Sequence, residues 1–467
     1  MNGAPIGCKE PTERVVLKNW PSAEEHHKGV SEYIQTHIAT GAIAGPLSIL
    51  PPKYRTSPLG AFIRKGTSKL RIIHDLSWPP GDSVNDMINK EDYSVSYTSV
   101  SEAVRLCMQL DTPWLAKTDI QDAYLTCPVR PDENSVLGFS WNNAQGKAEY
   151  YVFQSIALGL RSSARIFDDI SSALNIMCIN NGATWRTIHY LDDFLTIGAT
   201  KTECAQSLHV VIDTAKHCGF KIKDSKTAGP SRTLEFLGLV IDTVKRTVCI
   251  SEERLQEIRA ELSEWKGAKK STKRELLSLI GKLQFCSQVV APGHMFVRRL
   301  IEASKKVKSL HHKVHLSAEV RKDINWWIAN MKIHNGVSWF PQEFNAATAL
   351  CMFSDASGKA AAAVLGSNWT VVHFTGDLLW VAPKNIAFKE FYAVVLGVAT
   401  FGHQLYRKQV IMNIDNEAVH HCIQSGKSKD AELMGLVRAL YHYTTKHCIQ
   451  YETCHVAGAS NVLADSL

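Results

Sequence analysis

The chain has 467 residues, 45% hydrophobic and 21% charged, and its 52 Lys or Arg against 45 Asp or Glu give a formal net charge of +7. That length exceeds what one core supports, and the composition is that of soluble globular proteins, so about three domains are expected. No run of about 18 apolar residues occurs, and the N-terminus MNGAPIGCKEPTERVV holds charges where a signal peptide needs an apolar stretch; no membrane span is predicted, and an intracellular place, cytoplasm or nucleus, is expected. The 12 cysteines include no CxxC and no zinc-like Cys/His spacing, so they read as reduced thiols, mostly small core residues.

In chain order, GPLSILPPKYRTSPLG (45–60) is too rich in Pro and Gly for regular helix, and SKLRIIHDLS (68–77) reads as a strand with a polar exit. SVSEAVRLCMQL (99–110) has helical apolar spacing and is followed by the strand WLAKTDI (114–120). Residues 155–180 are expected to be helical. The stretch TIHYLDDFLTIG (187–198) places two aspartates between two runs of β-forming residues, which predicts a hairpin with the acids at its turn. LEFLGLVID (234–242) and RTVCI (246–250) are expected to form a second hairpin.

After Ile250 helices take over. Ser251 is an expected N-cap with glutamates in the first turn and Gly267 as a stop, and TKRE (272–275) is a capping box. Two more helical patterns lie around HMFVRRLIEASKK and SAEVRKDINWWIANM. Between Ser251 and Lys313 there are 14 Lys or Arg against 7 Asp or Glu, an excess equal to the net charge of the whole chain. Such a segment is either a solvated helical face or a surface for phosphates, and composition does not choose. From about Ala346 three strands, a helix, a strand, a helix, a strand and the start of a last helix (NVLADSL) are expected, an α/β domain of its own.

Adjacent carboxylates such as Asp192 and Asp193 repel unless a cation lies between them. A third, Asp119 in KTDIQDAYLTCPV, closes a predicted strand, with Tyr124 five residues on. Carboxylates at a strand end and a hairpin turn, in this order, suit two metals about 4 Å apart, and Mg²⁺ fits because it keeps few protein ligands and takes phosphate oxygens for the rest.

These motifs carry a resemblance. YLDD is similar to the signature turn of reverse transcriptases and TDIQDAYLTCPV to their first catalytic motif. SPLGAFIRKGTSKLRIIHDLS…SVND resembles the fingers of retrotransposon polymerases, and GKLQFCSQVVAPGHMFVRRL their thumb. The wording is most like DIRS-like elements, with Gypsy-like elements next. The resemblance implies a multidomain α/β and α+β chain: an N-terminal extension (1–44), fingers and palm (45–250), a helical thumb and connection (251–345), and an RNase H-like α/β domain (346–467). It implies Asp119, Asp192 and Asp193 as metal carboxylates and Tyr124 as the gate against a 2′-hydroxyl. Lys65 and Arg71 would grip the triphosphate, Gly159 would allow close backbone approach, and Lys226 would protonate the leaving pyrophosphate. Asp122 is expected to start a helix rather than bind metal. ALGLRSSARIF departs from the family wording, with Arg161 for a small polar residue and Ala164 for a proline.

In the last segment, Asp355, Glu390, Asp415 and Asp465 stand where an RNase H fold gathers its acids, again implying two Mg²⁺, with Mn²⁺ as a substitute. His455 is expected to be structural. The implied partners are an RNA or DNA template–primer, an RNA–DNA hybrid and deoxynucleoside triphosphates, with no membrane. Two rivals stay open. One is a domesticated, inactive nucleic-acid-binding derivative, against which the presence of all seven acids argues; the other is a pararetroviral or retroviral polymerase. The chain ending mid-helix suggests part of a longer product, and Asp465 is expected to be loosely held there.

Overall fold

The first hairpin, β1 (Leu59–Ile63) and β2 (Leu70–His74), pairs antiparallel with Leu59 opposite His74. The computed structural model describes residues 3–9, 13–63, 68–143, 145–333, 337–339, 344–426, 428, 430–457, 461 and 464. Lys65 and Asp465 therefore lie outside the described residues, as does most of the expected last helix. The chain folds as two units, Met1–Thr247 and Val248–Leu467.

In the first unit the sheet that matters is built on β3 (Trp114–Asp119). Two strands, β4 (Gly138–Asn142) and β5 (Ala148–Phe153), pair antiparallel in a separate sheet whose third, short strand is Ile43–Ala44. Then come β6 (Thr187–Tyr190), β7 (Asp193–Gly198) and β8 (Ala228–Ser231), which join β3 in the order β6-β7-β3-β8. Helix α1 (His27–Ala39) precedes these strands and α2 (Val100–Met108) starts on Ser99, whose hydroxyl accepts from Glu102 N. Helix α3 (Ser163–Asn180) buries Ile166, Phe167, Leu174 and Cys178 at helical spacing. Helix α4 (Lys201–His217) is capped by Thr200 and rests Cys204, Leu208 and Val211 against β3 and β7. At Gly198 an added Cβ would stand 2.6 Å from the Cys204 nitrogen, so only glycine lets α4 approach so closely. The first 44 residues supply Ile6, Ala23, Val30 and Ile34 to the same buried core.

Two expectations change here. The helix expected from residue 155 begins only at Ser163; residues 155–162 are held in an irregular path by bonds to distant segments. The segment LEFLGLVID is not one strand but a hairpin of its own, β9 (Thr233–Phe236) and β10 (Leu239–Asp242), turning at Leu237 (φ 50°) and Gly238 (φ 80°). A two-residue turn with both φ positive matches the twist of the flanking strands.

His74, at the end of β2, is buried, stacks on Phe153 at 5.1 Å and shares a hydrogen bond with the Gly138 carbonyl at 3.1 Å. Burial lowers its pKa from 6.5 to about 4. Between those values the unfolded chain binds a proton that the folded one refuses, so stability is full above pH 6.5 and is lost as pH falls toward 4. The loss is expected to reach about 3 kcal/mol. Denaturant titrations of wild type and His74→Gln at pH 7.5 and 4.5 check it: the variant should lose less stability over that interval, and equal losses would refute the assignment.

In the second unit α5 (Glu252–Glu264) buries Leu255, Ile258 and Leu262. Ser251 occupies its N-cap position, but its side chain makes no cap bond. The expected capping box is present: Glu275 N donates to Thr272 Oγ1 at 3.2 Å and Thr272 N to Glu275 Oε2 at 2.8 Å, opening α6 (Lys273–Cys286). Helices α7 (Arg298–Lys305) and α8 (Ala318–Ile333) follow. Asp323 of α8, 2% exposed, faces Arg299 at 3.4 Å and Arg438 at 3.6 Å.

The C-terminal sheet has β11 (Leu350–Ala356), β12 (Ala360–Leu365) and β13 (Asn368–His373) as an antiparallel meander. Strands β14 (Gln409–Ile414) and β15 (Gln450–His455) lie parallel to β11, giving the order β13-β12-β11-β14-β15. Helix α9 (Ile386–Phe401), capped by Asn385, packs on β11 and β12, where Gly397 meets Met352 and Ala363. Two helices rather than the expected one lie between β14 and β15: α10 (Glu417–Ser425) and α11 (Ala431–Lys446), the latter capped by Asp430. Arg438 of α11 thus ties this sheet's helices to the helical segment through Asp323.

Candidate active sites

The β6–β7 hairpin turns on two residues, Leu191 and Asp192, with Tyr190 opposite Asp193 and Leu191 at φ 51°. Asp193 is also the register partner of Asp119 on β3, and Ile120 N donates to the Asp192 carbonyl at 3.0 Å. Strand pairing therefore sets all three aspartates at one edge of the sheet, with a carboxylate oxygen of each within 4.8 Å of the others.

Their electrostatics are those of a site wanting positive charge. Burial, then the Asp119 charge, raises the pKa of Asp192. Burial, a hydrogen bond with Asp119 and the charge of Asp192 push Asp193 up to about 6. Lys226 Nζ donates to Asp119 Oδ2. Burial opposes its charge, but the Asp119 hydrogen bond and the three carboxylates outweigh that and hold the ammonium above its ordinary pKa. The loop carrying Lys226 is fixed to the strand end, with Lys223 N donating to the Asp119 carbonyl at 2.9 Å.

Tyr124 lies on a single turn (Ala123–Thr126) entered through Asp122, which is left-handed at φ 49°. Its ring meets Phe167 edge-on at 5.6 Å, and burial raises its hydroxyl to about 12. Tyr190, just before the turn, sits 5.0 Å from Tyr97; sequence reasoning missed Tyr97, which no motif marks. Gly159 is at φ 97°, and a Cβ there would stand 3.1 Å from the His74 carbonyl. Arg161 turns its guanidinium onto the Ile88 carbonyl at 2.8 Å. Arg71 is exposed on β2, opposite Phe62.

The second cluster repeats the logic on a parallel pair. Phe353 of β11 is level with Asn413 of β14, so Asp355 and Asp415, each two residues on, are side by side. Buried Glu390, on α9, completes the set, and one carboxylate oxygen from each lies within 4.8 Å of the others. Lys389 Nζ donates to the Gly358 carbonyl at 3.0 Å, pinning that turn of α9 to the β11–β12 loop. His455 Nε2 lies 3.0 Å from the Asp415 carbonyl. Among the described residues these are the two acidic groupings able to hold a metal ion.

Of the helical arginines, Arg298 forms an exposed pair with Glu302 one turn on at 3.1 Å, whereas the less exposed Arg299 pairs with Glu319 at 2.9 Å.

Residues 74–241 match the family model described as reverse transcriptase (RNA-dependent DNA polymerase). This region is a reverse transcriptase domain. The matched region holds Asp119, Asp192, Asp193, Tyr124, Gly159 and Lys226. The chain is similar to the Gag-Pol polyprotein of avian reticuloendotheliosis virus, 22% identical over 278 residues, covering 58% of this chain and 22% of that one. It is similar also to the enzymatic polyprotein of figwort mosaic virus (strain DxS), 23% identical over 352 residues, covering 72% of this chain and 48% of that one. The chain thus spans less than half the length of these relatives. Among solved structures it is similar to the foamy viral protease–reverse transcriptase in complex with an RNA/DNA hybrid, with a TM-score of 0.55 at 13% identity, covering 96% of this chain and 56% of that one. With double-stranded DNA the same viral protein gives a TM-score of 0.53 at 14% identity, covering 97% and 86%. At such identities the likeness speaks for the fold. No helix among the described residues is long and apolar enough to cross a membrane.

Proposed function

We propose that the chain is an RNA-directed DNA polymerase with a fused ribonuclease H, acting inside the cell as part of a retroelement of the DIRS-like kind. The observation that carries the polymerase reading is the convergence of Asp119, Asp192 and Asp193 at one sheet edge with Lys226 on Asp119. Three hard oxygen donors, two of them with pKa values raised by burial and then by one another's charge, fit divalent cations, and Mg²⁺ above all. When bound, such ions supply activation of the primer 3′-hydroxyl and charge neutralisation on the triphosphate. Asp119, Asp192 and Asp193 would hold them; Asp355, Glu390, Asp415 and Asp465 would hold a second set for cutting the RNA strand of a hybrid.

The chain's own residues do the rest. Lys226, kept protonated by its carboxylate neighbours, is the proton donor for the leaving pyrophosphate. Lys65 and Arg71 grip the triphosphate as point charge and planar fork. We assign 45–250 to fingers and palm, 251–345 to thumb and connection, and 346–467 to the ribonuclease H. The partners are an RNA or DNA template–primer, RNA–DNA hybrid and deoxynucleoside triphosphates. The test is primer extension on an RNA template with Mg²⁺ beside an Asp192→Asn control; no extension by the wild-type chain would overturn the reading.

Tyr124, held against Phe167, is the gate for the sugar. Tyr124→Val is expected to raise ribonucleotide incorporation at least ~10-fold relative to deoxynucleotide, since the contact acts by excluding one hydroxyl. An unchanged ratio of kcat/KM values for the two sugars would make Tyr124 a packing residue.

A further inference from the structure

Residues 157–162, which include Gly159 and Arg161, belong to no helix or strand, and what fixes their path is one buried side chain 74 residues away from Gly159. Asn85 is 5% exposed. Its Oδ1 accepts from Arg161 N at 2.7 Å, and its Nδ2 donates to the Gly159 carbonyl at 2.9 Å and to Ser77 Oγ at 2.8 Å. Both amide donors and the acceptor are thereby used.

The clamp is itself anchored. Asn85 N donates to the Leu76 carbonyl at 2.9 Å, and the one-turn helix that carries it (Val84–Met87) opens with a reciprocal cap between Ser83 and Asp86. The Arg161 guanidinium, bonded to the Ile88 carbonyl just beyond that turn, closes the loop from its other side. Farther back, Ile156 N donates to the Cys127 carbonyl at 2.9 Å and Cys127 N to the Tyr124 carbonyl at 3.2 Å, so the segment is tied to the Tyr124 turn as well. Gly159 passes the His74 carbonyl so closely that even a Cβ would crowd it.

We propose that Asn85 is a positioning residue for the incoming nucleotide, with Arg161 as its second anchor: together they hold the Gly159–Arg161 backbone in the path presented to the deoxynucleoside triphosphate. The inference rests on the polymerase reading above. Asn85 need not touch the nucleotide. Displacement by about 1 Å at a binding backbone can cost ~100-fold in rate, and unclamped polar groups at Gly159 and Arg161 would seek other partners.

The test uses the full chain. Asn85→Ala should raise KM for deoxynucleoside triphosphate ~10-fold or more while template–primer Kd stays within about twofold; Arg161→Met, losing the outer anchor alone, should raise KM about threefold. Asn85→Asp keeps the acceptor for Arg161 N but sets an oxygen against the Gly159 carbonyl, so it should not rescue. Hydrogen–deuterium exchange reads the clamp without catalysis: amides 159–163 should exchange at least ~10-fold faster in Asn85→Ala, with those of β3 unchanged. An unchanged KM with the loss confined to kcat, or exchange accelerated evenly through the unit, would overturn the proposal. Should Asn85→Ala not fold, Arg161→Met and Ser77→Ala carry the same measurement, and no rise in KM in either overturns it. A wild-type chain that extends no primer counts against the polymerase reading instead, and exchange at 159–163 still decides the clamp.

Discussion

Asp192→Asn is expected to lower primer extension on an RNA template by about three orders of magnitude or more, and Asp119→Asn by a similar amount. The expectation follows from geometry. Asp192 occupies a two-residue turn whose backbone is fixed by the Ile120 hydrogen bond, and Asp119 lies in register with Asp193 across the sheet. An Asn at either place keeps size and shape while removing a negative charge, so the fold persists and cation affinity does not. Losing charge stabilisation of roughly 4 kcal/mol at a transition state corresponds to about a thousandfold in rate. Asp119→Asn has an added consequence, because Lys226 then loses the carboxylate it bonds. The readout is single-turnover extension with titrated Mg²⁺. Near-normal rates in either variant would remove the assignment; recovery toward the wild-type rate at high Mg²⁺ is the mark of weakened cation binding, and a loss that titrated Mg²⁺ does not move would place the residue's role outside it.

Much of this site is legible in the sequence because local rules and non-local pairing agree there. The runs TIHY and FLTIG on either side of the acids are rich in β-forming residues, and strand pairing then sets the acids at the sheet edge. The Thr272–Glu275 capping box is equally legible, since both partners lie within four residues. Lys226 and Asp119 meet across 107 residues, and Asn85 and Gly159 across 74, distances at which no periodicity or cap speaks.

The irregular path of residues 155–162 has the same physical source. Residues 155–162 carry helix-compatible composition but are captured by Asn85 and by the Cys127 carbonyl, so tertiary bonds override propensity. At Leu237–Gly238 local rules say little, because leucine is not a residue that advertises positive φ. Helix α11 is different: Asp430 caps it, and Met434, Val437, Leu440 and Thr444 bury one face at helical spacing. That signal is local and stands in the sequence.

Glu390→Gln is expected to reduce RNA-strand cleavage by at least about a thousandfold while DNA synthesis on the same template stays within about twofold of wild type. Glu390 is 5% exposed and held by Phe388 and Phe391 in the core, by the Asn385 cap and by the Lys389 bond to Gly358. Glutamine fits that space without repacking, so a lost activity cannot be charged to a lost fold. What changes is charge: three carboxylates within 4.8 Å become two. Like charges that close repel when no cation is near, so the variant should melt higher than wild type in chelator-treated buffer. With Mg²⁺ the order should reverse, because a cation that binds the folded form stabilises only the chain that can hold it. Cleavage and extension measured on one labelled hybrid, beside melting curves with and without Mg²⁺, separate the two effects. Cleavage that survives Glu390→Gln would leave Asp355, Glu390 and Asp415 as a structural cluster. A cleavage loss without the Mg²⁺-dependent reversal in melting would place Glu390 in proton transfer rather than in cation binding.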